Sequence, residues 1–380
     1  MTTHKGVSKM YKKLILLTIV PVLLVCSSVF ACTHFVLVAK DGSIVLARTM
    51  EFGAELNSHI VTSPVGTTIQ SPSPTGNDGM TWTSKYGYVM MDFFGSKHPV
   101  DGMNEEGLSM GFLYLPGYTK YQTVPKGANK DALFYLYVGD WVLGNFKTVE
   151  EVKKAIKDVY VFSKPATFGD IKNVVFPVHL TVSDKSGKSI VVEWVNGKTN
   201  IYDNPLGVLT NSPEFPWQLN NLKNYVNISP HSPDPLELDG IEYTATGQGS
   251  GATGIPGDFT PPSRFVKIMY LAKSCFPVET GEETVNLADH IMNNVDIPIG
   301  AVQGEKGAKD DLPDRTQWTV FKDLTNNKLY FKSYENTTLQ VLDLNKVDFA
   351  KGARVLDIPL HSKQIIVDAT DRFIESSHAK

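Results

Sequence analysis

Hydrophobic and polar positions divide the 380-residue chain into one short apolar block and a long region where the two alternate. The block runs from Leu14 to Val25. Lys5, Lys9, Lys12 and Lys13 precede it and Val29-Phe30-Ala31 follows, the layout of a secretory signal peptide with a small residue at the cut. Residues 1–31 are therefore predicted to be a leader, and residues 32–380 a single domain beginning at Cys32. The block is short for a membrane span, and no later stretch reaches the roughly eighteen apolar residues that one needs. No stable membrane insertion is expected, and the cleaved product is placed in the periplasm or outside the cell.

Beyond Cys32, "THFVLVAKDGSIVLARTM" reads as two strands around an Asp41-Gly42 turn. Residues 63–80 are rich in turn formers and predict a surface excursion, followed by short strands carrying Trp82, Tyr86 and Tyr88. "KDALFYLYVGDWVLGN" predicts a helix apolar on most sides, and "TVEEVKKAIKDV" a helix opened by a Thr148/Glu151 capping box. Strands return at "HLTVSD", at "SIVVEWVNGKTNIYD" around Asn196-Gly197, and at "GVLTNSP". Helices follow from Ser263 in "SRFVKIMYLAKSC" and over "EETVNLADHIMNNV", then a meander through "TQWTVFKDLTNNKLYFKSYENTTLQVLDL". Strands, helices and strands again, joined by hairpins, predict an α+β domain of layered antiparallel sheets. No repeat, heptad pattern or linker of disordered composition divides it.

The composition, 42% hydrophobic and 20% charged, is that of an ordinary globular protein. The leader holds four lysines and no acid, so the remaining chain has 32 basic against 40 acidic residues, a balance of −8. A nucleic-acid partner is not expected, because phosphate binding needs concentrated positive charge. Of three cysteines, Cys26 leaves with the leader, and Cys32 and Cys275 are expected as free thiols. Cys275, ending an apolar helix, reads as a buried core residue.

A cysteine at a new N-terminus carries its own base, since a free α-amine has a pKa near 8 and is partly neutral at pH 7. Arg48 and Glu51 lie on the partner strand of the opening hairpin, and a guanidinium near the thiol favours the thiolate. Two registers remain open. A two-residue turn sets Cys32 opposite Glu51; a three-residue bulged turn sets it opposite Met50, with Arg48 diagonally near the sulfur. Taken singly, each residue has a plainer reading: Arg48 and Glu51 as an exposed ion pair, Asn211 as a turn former, Tyr114 as a core aromatic. Arg264 is less easily dismissed, because a helix start is an unfavourable place for a cation. His34, His98, His179 and His290 are the candidates for a Cys–His pair, but none lies in a protease signature. No zinc spacing or phosphate loop is present, and no cofactor is expected.

Five segments, "CTHFVLVAKDGSIVLARTMEF", "DGMNEEGLSMGFLYLPGY", "YDNPLGVLTNSPEFPWQLNNLKNY", "GIPGDFTPPSRFVK" and "IPIGAV", occur in the order of the choloylglycine hydrolase family, which contains bile salt hydrolases and penicillin V acylases. The resemblance runs from Cys32 to about Leu344. It implies an N-terminal-nucleophile hydrolase of linear amide bonds, built as a four-layer αββα sandwich. It further implies Cys32 as nucleophile, Arg48 beside the thiol, Asn211 and the Tyr114 backbone N–H as oxyanion donors, Arg264 as a second arginine of the site, and a homotetramer. Two positions depart from common members: Glu51 stands where they carry aspartate, and Tyr114 is the acylase-like choice where bile salt hydrolases show asparagine.

The expected substrate is a small N-acyl amide with an apolar acyl group: a conjugated bile salt, a phenoxyacetyl penicillin or, as an alternative on the same scaffold, an N-acyl homoserine lactone. Phe52, Phe93, Phe94 and Tyr114 are candidate pocket walls. The alternative from another class is a lipid-anchored binding protein without turnover, since bacterial lipoproteins also begin on a cysteine after an apolar core.

Overall fold

The strands Thr33–Val38 (β1) and Ile44–Phe52 (β2) form the opening hairpin, with Thr33 opposite Thr49. The Ala39 N–H donates to the Ser43 carbonyl at 2.9 Å, and Gly42 sits at φ +86°. This is the three-residue turn, whose left-handed position glycine occupies without steric cost. Of the two registers, it is the one that brings Cys32 beside Met50. The computed structural model describes residues 31–169, 171–304 and 312–378, so the predicted leader, Ala31 apart, lies outside the described residues.

β2 pairs on its other side with Arg315–Asp323, which continues into Lys328–Ser333 and Gln340–Asp343, giving a five-stranded sheet from the predicted meander. A second sheet has eight strands. In spatial order these are Lys198–Asp203, Ser189–Val195, Val178–Asp184, Leu108–Tyr114, Asp101–Asn104, Tyr88–Met91, His59–Ser63 and Asp357–Pro359, all antiparallel. Helices Val138–Asn145 (α1) and Val149–Ala155 (α2) pack on the eight-stranded sheet. Phe215–Asn221 (α3) packs on Pro261–Ser274 (α4), which with Gly281–Met292 (α5) covers the five-stranded sheet. The layers run αββα: the inner faces of the sheets bury a core between them, where Trp318 opposite Met50 is almost fully enclosed, while Phe35 and Phe321, on the alternate positions, are enclosed on the face that α4 and α5 cover.

Local chemistry explains the element ends. Thr148 and Glu151 form the expected capping box of α2, and Thr280 and Glu283 form another on α5. α4 starts at Pro261, two residues before Ser263, because proline in a first turn has no N–H to leave unpaired.

Some expectations fail. "KDALFYLYVGDWVLGN" is α-helical only from Val138, in α1, with single 3-10 turns at Asn129–Asp131 and Tyr135–Tyr137; between those turns Ala132–Phe134 is a buried strand pairing in parallel with Tyr160–Phe162. An apolar run without polar faces does not distinguish the two conformations. "GVLTNSP" is not a strand: it meets β1 through one bridge, His34 with Leu209, and side-chain hydrogen bonds take over beyond it. The 63–80 excursion carries Thr68–Gln70, which pairs with Thr81–Thr83. Cys275 is half-buried at the C-cap of α4, not enclosed in the core, and neither it nor Cys32 is in a disulfide.

Candidate active site

The position of Cys32 follows from the hairpin register. Cys32, His34, Arg48 and Met50 share the face of β1 and β2 that looks toward the eight-stranded sheet. The Arg48 Nη2 donates to the Phe112 carbonyl across the layer at 2.6 Å and lies 3.8 Å from Cys32 Sγ. The guanidinium carbon lies 4.8 Å from the centre of the Trp318 ring. Met50 Sδ is 3.9 Å from the same sulfur. Burial raises the Cys32 thiol above its ordinary value, and the pull of Arg48 only partly offsets this. The guanidinium favours the thiolate, as expected, but burial outweighs it, so attack by the sulfur calls for a base.

Asn211 arrives on the loop after Leu209. The Thr210 Oγ1 donates to the Pro261 carbonyl, Ser212 Oγ to the Pro116 carbonyl, and His179 bridges Glu193 and the Thr210 carbonyl. Arg264 Nη2 donates to Asn211 Oδ1 at 2.7 Å. Because arginine cannot accept, this contact establishes which end of the amide is oxygen. Oδ1 also accepts from the Cys32 N–H at 2.7 Å, and Nδ2 donates to the Tyr114 carbonyl at 2.8 Å, keeping a second N–H. Asn211 thus spans the gap between Cys32 and the end of the Leu108–Tyr114 strand.

Arg264 explains itself by these contacts. Its guanidinium donates to the Cys32 carbonyl and Thr33 Oγ1, each at 2.6 Å, and to the Phe259 carbonyl at 2.9 Å. Asp314 is among the groups around Arg264; burial pushes its carboxyl up to about 7.

Glu51 is enclosed, not part of the exposed ion pair with Arg48 that was its plainer reading. Its Oε1 accepts from Thr316 Oγ1 at 2.8 Å, while Oε2 is buried with no hydrogen-bond partner among the described residues. Burial pushes the carboxyl from an ordinary 4.5 up to about 8, against the pull of Arg264 and the Thr316 hydrogen bond. The Cys32 nitrogen meets Asn211, not this carboxylate. That nitrogen is still an amide, because Ala31 and Cys32 are joined in the described chain.

A cavity of about 600 Å³, its mouth included, opens beside Cys32. Phe52, Phe93, Phe94 and Tyr114 line it as expected, joined by Met50, Phe112, Tyr135, Leu136 and Phe176. Rings of Phe52, Phe93, Phe94, Phe168 and Phe176 interlock with centroids 5.0–6.3 Å apart. Met50 was anticipated only in the three-residue register, and Thr316 and Phe176 were missed from sequence. The histidines lie elsewhere: His98 pairs with Asp140, His179 holds the Asn211 loop, His290 is on α5, and His34 is enclosed beneath the site. Among the described residues, no group of acids, histidines and cysteines is placed to hold a metal, and no helix is long and apolar enough to cross a membrane.

Comparison with known proteins gives a consistent result. The family described as linear amide C–N hydrolases, choloylglycine hydrolase family, matches residues 32–367, beyond the Leu344 limit of the sequence motifs. The chain is 34% identical to a bile salt hydrolase/transferase of Clostridium perfringens over 319 residues, 83% of this chain and 93% of that one. It is 26% identical to a penicillin V acylase of Pectobacterium atrosepticum over 357 residues, 88% and 86% of the two chains. The crystal structure of a mutant conjugated bile acid hydrolase from Clostridium perfringens superposes with a TM-score of 0.76 at 32% identity, covering 89% of this chain and 99% of that one.

Proposed function

Because the chain belongs to the choloylglycine hydrolase family of linear amide C–N hydrolases, we propose that Cys32, freed at its amino group, is the nucleophile of an N-acyl amide hydrolase. The observation that carries this reading is the placement of Sγ 3.8 Å from Arg48 at the edge of an apolar cavity, with the Cys32 nitrogen 2.7 Å from Asn211 Oδ1. Removal of residues 1–31 turns that nitrogen into a primary amine. Its hydrogens remain available to Asn211 Oδ1, and its lone pair takes the thiol proton, directly or through water.

Sulfur attacks the acyl carbonyl, and the carbonyl oxygen gathers negative charge. The second Asn211 N–H and the Tyr114 backbone N–H stabilise it, a contribution of about 3–4 kcal/mol for one well-placed donor in comparable acyl transfers. The ammonium formed at Cys32 returns its proton to the departing amine. Water, deprotonated by the same amine, then cleaves the thioester. Arg264 holds the Cys32 carbonyl and the Asn211 amide in one frame, so base and oxyanion donor keep their spacing.

The acyl group occupies the phenylalanine-walled cavity, which supports a bulky apolar acyl chain: the acyl part of a conjugated bile salt or an aryloxyacetyl group. Identity and coverage favour the bile salt relatives, and Tyr114 favours the acylase side. Export to the periplasm or the outside, by cleavage before Cys32, belongs to the same proposal. So does assembly as a homotetramer, for which the exposed Leu236, Leu238, Ile241 and Tyr243 of one protruding hairpin offer apolar surface.

The test is mass spectrometry of the mature N-terminus combined with kcat/KM for glycocholate, taurocholate, penicillin V and a long-chain acyl homoserine lactone. A free Cys32 and cleavage of at least one amide, abolished in a folded Cys32→Ala variant, are expected. A lipidated, amine-acylated Cys32 removes the base and refutes the mechanism; full activity in Cys32→Ala refutes the nucleophile.

A further inference from the structure

Beneath Cys32, the two sheets enclose charges that the mechanism above does not use. Lys322, on the Arg315–Asp323 strand, makes an ion pair through Nζ with Asp101 Oδ1. Asp101 begins a strand of the opposite sheet, and its Oδ2 lies 3.5 Å from Arg48 Nε. All three side chains are fully enclosed. Arg48 in turn reaches Cys32 Sγ through Nη2. The four groups form one row from Lys322 to the sulfur.

The charges in this row decide what the sulfur experiences. Arg48 and Asp101 alone form a neutral pair, and a thiolate beside a neutral buried pair is an uncompensated charge in a poorly polarisable interior. Lys322 adds a second cation, so the row carries one net positive charge with the thiol protonated and none with the thiolate formed. The room for this arrangement is built into the neighbouring strand: a Cβ added at Gly111 would stand 2.7 Å from Asp101 Oδ2. We propose that the buried Lys322–Asp101 pair sets the charge balance behind the nucleophile, with Lys322 a positioning and tuning residue that leaves the positive charge of Arg48 available to the Cys32 thiolate.

The other charged and titratable neighbours are accounted for. On the amine side, Glu51 opposes the thiolate and Arg264 supports it, with Asp314 near Arg264. His34, opposite Arg48 on β1, is held well below its ordinary value by burial and by the Lys322 and Arg48 cations, so it adds no charge. Tyr114 and Tyr135 on the cavity wall are raised by burial and stay protonated.

The inference rests on Cys32 as the nucleophile, and its test reads the thiol separately from turnover. In purified protein with a verified free N-terminus, the pH dependence of iodoacetamide alkylation is followed on the Cys32 peptide, which mass spectrometry distinguishes from Cys275. Thermal melting confirms that each variant is folded. Lys322→Met removes a cation and should raise the alkylation midpoint by about one pH unit, the effect of one partly screened buried charge. Asp101→Asn removes an anion and should lower it by a similar amount, while the double variant should return to within a few tenths of wild type. Shifts of the two single variants in the same direction, or none, overturn the proposal, because a purely structural role has no opposite signs. Should Lys322→Met fail to fold, Asp101→Asn and the double variant decide: a lowered and then restored midpoint supports it, an unmoved or raised Asp101→Asn midpoint overturns it. If the nucleophile reading is wrong instead, alkylation of wild-type Cys32 leaves amide cleavage intact, whichever way the midpoints move.

Discussion

Glu51→Gln in a chain that keeps Ala31 ahead of Cys32 tests the electrostatics of the site without any substrate. In that chain Glu51 is enclosed, hydrogen-bonded only through Oε1, and pushed from 4.5 to about 8. The folded state therefore holds a proton that the unfolded chain releases above pH 4.5. Stability from the protonated carboxyl is complete below that pH and is lost as pH rises through about 8. At about 1.4 kcal/mol for each pKa unit, the interval corresponds to a loss of about 5 kcal/mol. Spread over some 350 residues, each with an unfolding entropy of about 2 cal/mol/K, this is a fall in Tm of about 7 °C.

Glutamine keeps the acceptor for Thr316 and has no proton to lose, so the variant should lack this loss. The assay is the difference in Tm between parent and Glu51→Gln from pH 5 to pH 9, in which every other titrating group, Asp314 included, is common to both. The gap should widen with pH in favour of the variant. In the chain cut before Cys32, the new ammonium offsets part of the burial and the gap should shrink. Parallel curves in the extended chain would refute the reading of Glu51 as a buried neutral acid.

Asn211→Ala should lower kcat by about 10² to 10³ with a smaller change in KM, the mark of a donor that acts on the transition state; an unchanged kcat would reduce "LTNSP" to a turn. Gly111→Ala should cost about 1–3 kcal/mol in thermal unfolding and reduce turnover, since its Cβ collides with an Asp101 carboxylate that Lys322 holds in place. A fully stable, fully active variant would show that Asp101 can move without consequence.

The layered fold was legible in the sequence for a definable reason, whereas Asn211, Tyr114 and Arg264 were singled out as candidates through the family resemblance. The period-two pattern of β1 and β2, the Asn196-Gly197 turn and the Thr148/Glu151 capping box are local signals, and local structure obeyed them. The misreadings fall where partners distant in sequence decide the conformation. Ala132–Phe134 is a strand because Tyr160–Phe162 lies beside it, and "GVLTNSP" is irregular because Pro116, Glu193 and Pro261 capture its polar groups or those of its neighbours. Spacing placed Arg48 and Glu51 on one strand but could not say which of them the sulfur meets.

The feature that settles the outcome is a bulge that no sequence pattern announces. Along β2, Glu51 faces Thr316 and Met50 faces Trp318, so Gln317 is the extra residue of the Arg315–Asp323 strand. The surplus residue is put to use: its Oε1 accepts from the Leu56 N–H, and its Nε2 donates to the Phe52 and Ala54 carbonyls, pinning the segment that carries two cavity walls. Without the bulge, the one-residue offset between 316 and 318 would reverse the faces on one side of it. Either Trp318 would leave the Arg48 guanidinium or Thr316 would leave the Glu51 carboxyl. The bulge lets the strand serve both, and the longer side chain of Glu51 is thereby held toward Thr316 and away from the Cys32 nitrogen. That nitrogen is left to Asn211, which is why the amide and not the carboxylate stands beside the proposed base.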